Sequence, residues 1–360
     1  MGISGKCLFC TIPEQNSTIR FEPQKNEDSF PLKEFEELIP EEILTKMNNE
    51  KKFYKNYKNS VENKTIKILD NDNDNGKELY YHGEFNEEGE KNGIGKMIII
   101  NEDNEKIFYQ GIWENDILNE GNIYYMNGAE YKGQMNNYLR EGQGKYISDL
   151  ETYDGDWKAD QKDGKGVITY KDGTKYNGDF KNNEFNGNGK MKWPDGTFYK
   201  GAFLNNTFHG KGFLQGGNYH IYDGFFEKGF YHGEGIFKWI DGDNNNIIYE
   251  GNYTRGRKDG KGKLYLKNGD IFEGNWESGL PHGEGIYETK YRKYHGNWRN
   301  GLFMQLIEVE NKKENEEESF SLRFNTPNED IYIKDHIVLF LNSNILIKSK
   351  VYNVSVVEIK

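Results

Sequence analysis

The sequence predicts a mainly β protein: an elongated, twisted, single-layer antiparallel sheet of about ten β-hairpin repeats. A short helical segment precedes the sheet and a small β segment follows it. Three observations carry this. First, a Tyr-x-Gly tripeptide recurs, with Phe replacing Tyr once, its glycines falling at Gly83, Gly111, Gly133, Gly155, Gly178, Gly201, Gly224, Gly251, Gly274 and Gly296. The steps are 28, 22, 22, 23, 23, 23, 27, 23 and 22 residues, and a regular period outranks any single motif as a guide to fold. Second, an aromatic residue stands two past that glycine in nearly every copy, with Met135 the exception, and Gly-x-Gly follows nine or ten residues on, as in Gly164/Gly166 and Gly187/Gly189. Third, Asn127-Gly128, Asp172-Gly173, Asp195-Gly196, Asp241-Gly242 and Asn268-Gly269 supply hairpin turns.

Side chains alternate faces along a strand. In Tyr153-Asp154-Gly155-Asp156-Trp157 the Tyr, Gly and Trp therefore share one face and the two aspartates the other. The same reading puts Tyr176 with Phe180, Tyr199 with Phe203, Tyr222 with Phe226, Phe272 with Trp276 and Tyr294 with Trp298 on the aromatic face. The second face reads as polar, as in Lys132/Gln134, Asn177/Asp179 and Glu273/Asn275. Glycine weakens a strand unless something packs into its space, so the rings of one strand are expected over the glycines of the next. Two strands per repeat make such an array roughly 100 Å long, touching itself only between neighbours.

Tyr199-x-Gly201-x-Phe203 followed by Gly210-x-Gly212, repeated every 23 residues or so, resembles the MORN (membrane occupation and recognition nexus) repeat. The resemblance covers about residues 78–303. It implies rod-like β scaffolds at membranes and cytoskeletal rims, often dimeric. It also implies accessory modules beside lipid-kinase or methyltransferase domains.

The remaining elements are read in chain order. Residues 1–28 form a polar, irregular N-terminus. Gly2 is an acceptor for N-myristoylation, although Lys6 stands where the signature asks for Ser or Thr. Cys7 and Cys10 lie close enough for palmitoylation, and two acyl chains hold where one binds marginally. The alternative is an irregular terminus with two idle thiols; a zinc or redox site lacks a second ligand pair. Residues 29–63 are the helical segment, with Ser29 as N-cap before Pro31 and a second helix restarting at Pro40. Phe35, Leu38 and Ile39, then Ile43, Leu44, Met47 and Tyr54, form apolar faces that cover part of the sheet's aromatic side or receive a partner.

The array occupies residues 64–303. Asp70–Gly76 resembles a calcium loop but its glycine is one position late, so it reads as a hairpin loop. His209, His232 and His282 each precede Gly-x-Gly; their recurrence at one repeat position argues for packing or turn roles over catalysis. Residues 304–318 are an acidic linker, and 319–360 carry short apolar runs that cap the sheet or form a docking surface.

Net charge is −12, which argues against a nucleic-acid partner. Residues 254–301 nonetheless hold 10 basic and 6 acidic side chains. Arg255, Arg257, Lys258, Lys261, Lys263, Lys267, Arg292, Lys293 and Arg299 form a candidate patch for anionic lipid headgroups. No apolar run reaches the roughly 18 residues of a spanning helix, and no nucleophile–base–orienter spacing or phosphate loop appears. The expectation is a scaffold without catalysis, cofactor, metal or small-molecule ligand. It would gather protein partners, a second copy of itself included, on the cytosolic face of a membrane through the acylated N-terminus. The alternatives are a phosphoinositide tether, the regulatory subunit of an enzyme, and a choline-binding aromatic module, the last requiring secretion.

Overall fold

The computed structural model describes residues 27–50, 63–69, 78–101, 103–217, 219–240 and 247–311. Gly2, Cys7, Cys10, Tyr54, the Asp70–Gly76 loop, Asp241-Gly242 and the 319–360 segment lie outside the described residues. The chain divides after Asn186 into two bodies.

In the first body β1 (Glu27–Ser29) leads to α1 (Leu32–Glu37) and α2 (Glu41–Asn49). The strands β2 (Lys64–Leu69), β3 (Glu78–Phe85), β4 (Lys91–Ile100), β5 (Lys106–Glu114) and β6 (Ile117–Tyr125) follow. Next come β7 (Glu130–Asn136), β8 (Leu139–Ile147), β9 (Glu151–Lys158), β10 (Gln161–Tyr170) and β11 (Lys175–Lys181). From β1 to β11 each strand pairs antiparallel with the next, an open meander.

The division falls within β12 (Glu184–Lys192), and the second body continues with β13 (Phe198–Leu204), β14 (Thr207–Gly216), β15 (His220–Glu227), β16 (Phe230–Trp239) and β17 (Ile247–Thr254). It ends with β18 (Arg257–Tyr265), β19 (Ile271–Glu277), β20 (Leu280–Glu288), β21 (Arg292–Arg299) and β22 (Leu302–Asn311), paired in the same way from β12 on.

The register places glycine opposite glycine. Gly133, Gly144, Gly155, Gly166 and Gly178 face one another across five strands. In the second body Gly201, Gly212, Gly224, Gly235, Gly251 and Gly262 do the same. The first glycine of each Gly-x-Gly is displaced from this row. Gly164, at φ 115°, sits where the pairing jumps from Lys162–Trp157 to Gly166–Gly155, a bulge that L side chains resist.

The turns differ from expectation. At Asp172-Gly173 only the glycine takes positive φ. Asp172 instead accepts a 2.8 Å bond from the Thr174 N–H, and Gly173 N–H reaches Tyr170 O at 2.9 Å. These are three-residue loops in which Asp or Asn braces the turn. The two-residue turns with both φ positive lie at the opposite strand ends: Asn115-Asp116, Asn137-Tyr138, Ala159-Asp160, Asn182-Asn183 and Asn205-Asn206, then Lys228-Gly229, Arg255-Gly256, Ser278-Gly279 and Asn300-Gly301.

The helices also depart from the reading. Ser29 belongs to β1, and Pro31 holds the cap position of α1 without a side-chain bond. Phe35, Ile39, Ile43 and Met47 pack against Tyr80, Ile98, Ile100, Phe108 and Tyr124. Those five residues point away from the Tyr81–Gly83–Phe85 face. The helices therefore cover the outer face of the first copies, not the aromatic face. That face is apolar here because Met97-Ile98-Ile99-Ile100 is buried on both sides. Gln110 Nε2 donates to Met47 O at 2.9 Å and Lys106 Nζ to Leu38 O at 3.2 Å, satisfying helix-end carbonyls.

Candidate functional site

The recurring unit is a tyrosine laid over glycine. A Cβ at Gly166 would lie 2.5 Å from the Tyr153 ring, and one at Gly155 would lie 2.5 Å from Gly166 Cα. The Tyr153 ring thus lies over its own strand's glycine and its neighbour's. Its hydroxyl donates to Asp156 O at 2.8 Å. Tyr131, Tyr176, Tyr199, Tyr222 and Tyr249 repeat this bond to the carbonyl three residues on. Phe272 has the ring without the hydroxyl.

The aromatic face is consequently closed. Tyr153, Tyr176, Tyr199, Tyr222 and Phe272 are 0% exposed, and Trp157, Phe180, Phe203, Phe226, Trp276, Tyr294 and Trp298 at most 5%. The rings fold onto glycine, as the spacing predicts, and onto one another, edge to face at about 5 Å, as in Tyr153–Trp157 and Tyr199–Phe226. Burial pushes the phenols on this face up, Tyr125 to about 12.

A second position completes the closure, two residues before the first glycine of Gly-x-Gly. In three copies it is aromatic and lies flat on the tyrosine: Phe185 on Tyr176 at 4.0 Å, Phe208 on Tyr199 at 3.8 Å and Tyr231 on Tyr222 at 3.9 Å. In four copies it is a cation over the same ring: Lys91 over Tyr81, Arg140 over Tyr131, Lys162 over Tyr153 and Lys258 over Tyr249. Sequence reasoning missed this position because its chemistry alternates. Both chemistries serve, since a ring face attracts a flat ring or a positive charge.

The same position clasps the next repeat. The second residue of each following two-residue turn donates its N–H to this position's carbonyl: Asp160 to Arg140 O at 3.0 Å, Asn183 to Lys162 O at 2.9 Å and Gly279 to Lys258 O at 2.8 Å. Where that residue is Asp, its carboxylate returns the contact. Asp116 Oδ1 accepts from Lys91 N at 3.0 Å and Nζ at 2.7 Å; Asp160 Oδ1 accepts from Arg140 N at 2.8 Å and Nε at 2.9 Å. Lys162 pairs with Glu151 of its own repeat.

The expected basic patch is not one surface. Lys258 sits among rings, with Trp239, Tyr249 and Trp276 centroids 5.2, 5.0 and 4.7 Å from its Nζ. Burial lowers its amine to about 8. Lys263 pairs with Glu273 at 3.2 Å. Arg292 and Lys293 are half-buried, while Arg255, Arg257, Lys261 and Arg299 are exposed. The histidines stand beside the strand bulges. His232 faces Glu227 at 3.4 Å and His282 faces Glu277 at 3.2 Å. No cluster of metal-ligating side chains occurs among the described residues.

The family model of the MORN repeat matches residues 131–149, 153–175, 176–198, 199–221, 222–244, 249–271, 272–289 and 294–304. Residues 131–304 are MORN repeats. No curated protein matches the sequence. The matched MORN copies begin at Tyr131, yet the glycine row extends back through Gly121, Gly111, Gly95 and Gly83. The two earlier copies keep the MORN core and change their outer face, where the helices lie. MORN repeats are binding modules, generally without catalysis, found in membrane-associated or protein-binding chains. Among the described residues no helix is long and apolar enough to cross a membrane.

Proposed function

We propose that this MORN protein is a non-catalytic scaffold that organises protein partners at the cytosolic face of a membrane or its cytoskeleton. One observation supports this above others. The outer face of the first copies is covered by the chain's own amphipathic helices, while the outer face of residues 198–288 carries uncovered apolar side chains. Phe225 and Ile236 are each 47% exposed and Ile286 38%. An amphipathic helix supplied by a partner is the natural cover for that face, by analogy with α1 and α2. Acylation at Gly2, Cys7 and Cys10 would supply the membrane tether.

Membrane flotation and proximity labelling in cells test the two halves separately. The reading expects Gly2→Ala with Cys7→Ser and Cys10→Ser to move the protein to the soluble fraction. It expects Phe225→Glu with Ile236→Glu to lose the labelled partners while membrane association stays. Flotation unchanged in the acylation variants removes the lipid tether; a labelling pattern unchanged by the outer-face pair removes the scaffold surface. The phosphoinositide alternative has the weaker support, since Lys263 is paired with Glu273 within the protein.

A further inference from the structure

Four copies place a cation on the repeat tyrosine, and three of those cations meet a carboxylate: Lys91 with Asp116, Arg140 with Asp160 and Lys162 with Glu151. The carboxylates come from two positions only. One is the second residue of the next repeat's two-residue turn; the other lies two residues before the repeat tyrosine. At Lys258 the first position is Gly279 and the second is Ile247. Neither has a side chain that can accept a bond. Among the described residues the Lys258 ammonium has ring neighbours and no carboxylate. The nearest in sequence, Asp259, is turned to the Ser278 N–H at 3.4 Å.

The missing acceptor leaves room. A Cβ on Gly279 would meet nothing within 4 Å. In the Lys91 copy one carboxylate oxygen bridges main-chain N–H and ammonium from this position. The Lys258 copy presents its ammonium floored by Tyr249 and walled by Trp239 and Trp276. A half-buried ammonium among rings loses water without gaining a counter-charge, and the lowered amine of Lys258 agrees with that. Exposed Arg255 and Arg257 flank it in sequence, in a stretch with 10 basic and 6 acidic side chains.

We infer that the nook between Lys258 and Gly279 is a binding site for a carboxylate, supplied by a Glu or Asp side chain of an acidic partner peptide. Its source rests on the partner-binding reading above; the nook itself does not. A small free carboxylate is the competing source of the same chemistry. The local excess of positive charge favours a peptide carrying several acidic groups, by attraction over a Debye length.

The test uses the full chain with isotope-labelled lysines, following the Lys258 side-chain NMR signal, assigned with Lys258→Arg. An eight-residue peptide of alternating Glu and Gly is titrated at fixed ionic strength, beside its Gln counterpart and sodium acetate. The Glu peptide should shift the signal, raise the Lys258 titration midpoint by one pH unit or more, and bind at least tenfold more weakly to Gly279→Asp, which carries its own carboxylate. The Gln peptide should do none of this. A Lys258 signal unmoved by the Glu peptide, moved equally by the Gln peptide, or moved by acetate alone overturns the inference. The wild-type titration stands even if Gly279→Asp fails to fold. Loss of the scaffold surface at Phe225 and Ile236 would leave this signal unchanged, so the two readings fail separately.

Discussion

Replacing Gly212 by Ala tests the packing rule in the middle of the second body. The new methyl would lie 2.5 Å from the Tyr199 hydroxyl oxygen and 2.7 Å from Cε2, where carbon atoms need roughly 3.5 Å or more. The ring must therefore move by about 1 Å. Its escapes are closed by Phe208 stacked at 3.8 Å, Phe203 edge-on at 5.1 Å and the hydroxyl bond to Ala202 O at 2.8 Å. Overpacking costs about 1–3 kcal/mol and the strained hydroxyl bond about 1 more. Reduced freedom of the unfolded chain returns about 0.5 kcal/mol. The net is about 1.5–3.5 kcal/mol, or about 3–14 °C in thermal midpoint on the scale of a domain of this size. Circular dichroism melts measure it directly. Tyr199→Ala alone should cost about 3–5 kcal/mol, and the double variant should fall short of the sum by about 2 kcal/mol, since the methyl then has room. A Gly212→Ala midpoint equal to the parent's, or an additive pair, refutes the reasoning.

The other predictions concern single contacts. Tyr199→Phe should lose about 1 kcal/mol in urea melts, and Phe272→Tyr should gain a similar amount by reaching the Asn275 carbonyl. Asp160→Ala should cost about 2 kcal/mol by leaving Arg140 without its carboxylate, and the loss should persist in 1 M salt, because Arg140 lies beneath Trp157 at 4.1 Å. Phe35→Ala should cost about 3–4 kcal/mol and raise dye binding at the outer face of the first copies. Lys258→Met should stabilise the protein at pH 7. Lys258 holds its proton to about pH 8 when folded, against an ordinary value of 10.5. Below pH 8 both states are charged and the folded state bears the burial cost; between 8 and 10.5 it sheds the proton first and that cost fades. The advantage of Lys258→Met should accordingly shrink at pH 10, and an advantage independent of pH would contradict the assignment.

The strand content, the antiparallel meander and the pairing of ring with glycine were legible because a bare backbone row has one use in a sheet. Depth was not legible. Alternation tells which side Tyr153 and Trp157 occupy, but whether that side is open depends on Lys162 lying over Tyr153, and neither its charge nor its spacing from the tyrosine announces a stack. The outer face was misjudged by extending the polar pattern of the middle copies to the first two. The run Met97–Ile100 carried the needed signal, since a strand wet on one side does not keep four apolar residues in succession. The tight turns escaped for a local reason: Ala159-Asp160 and Asn205-Asn206 adopt positive φ without any glycine, so the Gly-containing loops drew attention to the wrong strand ends.

The contact from Asp160 back to Arg140, and from Asp116 back to Lys91, has a genetic consequence. Tandem duplication would treat such modules as equivalent beads. Here a module's polarity depends on its successor: excising 153–175 would bring Asn183 where Asp160 stood and Phe180 where Trp157 stood, leaving the Arg140 guanidinium without its carboxylate. The order of modules is thus inherited as pairs, and a lineage that shuffles them must also move the acidic residue next door.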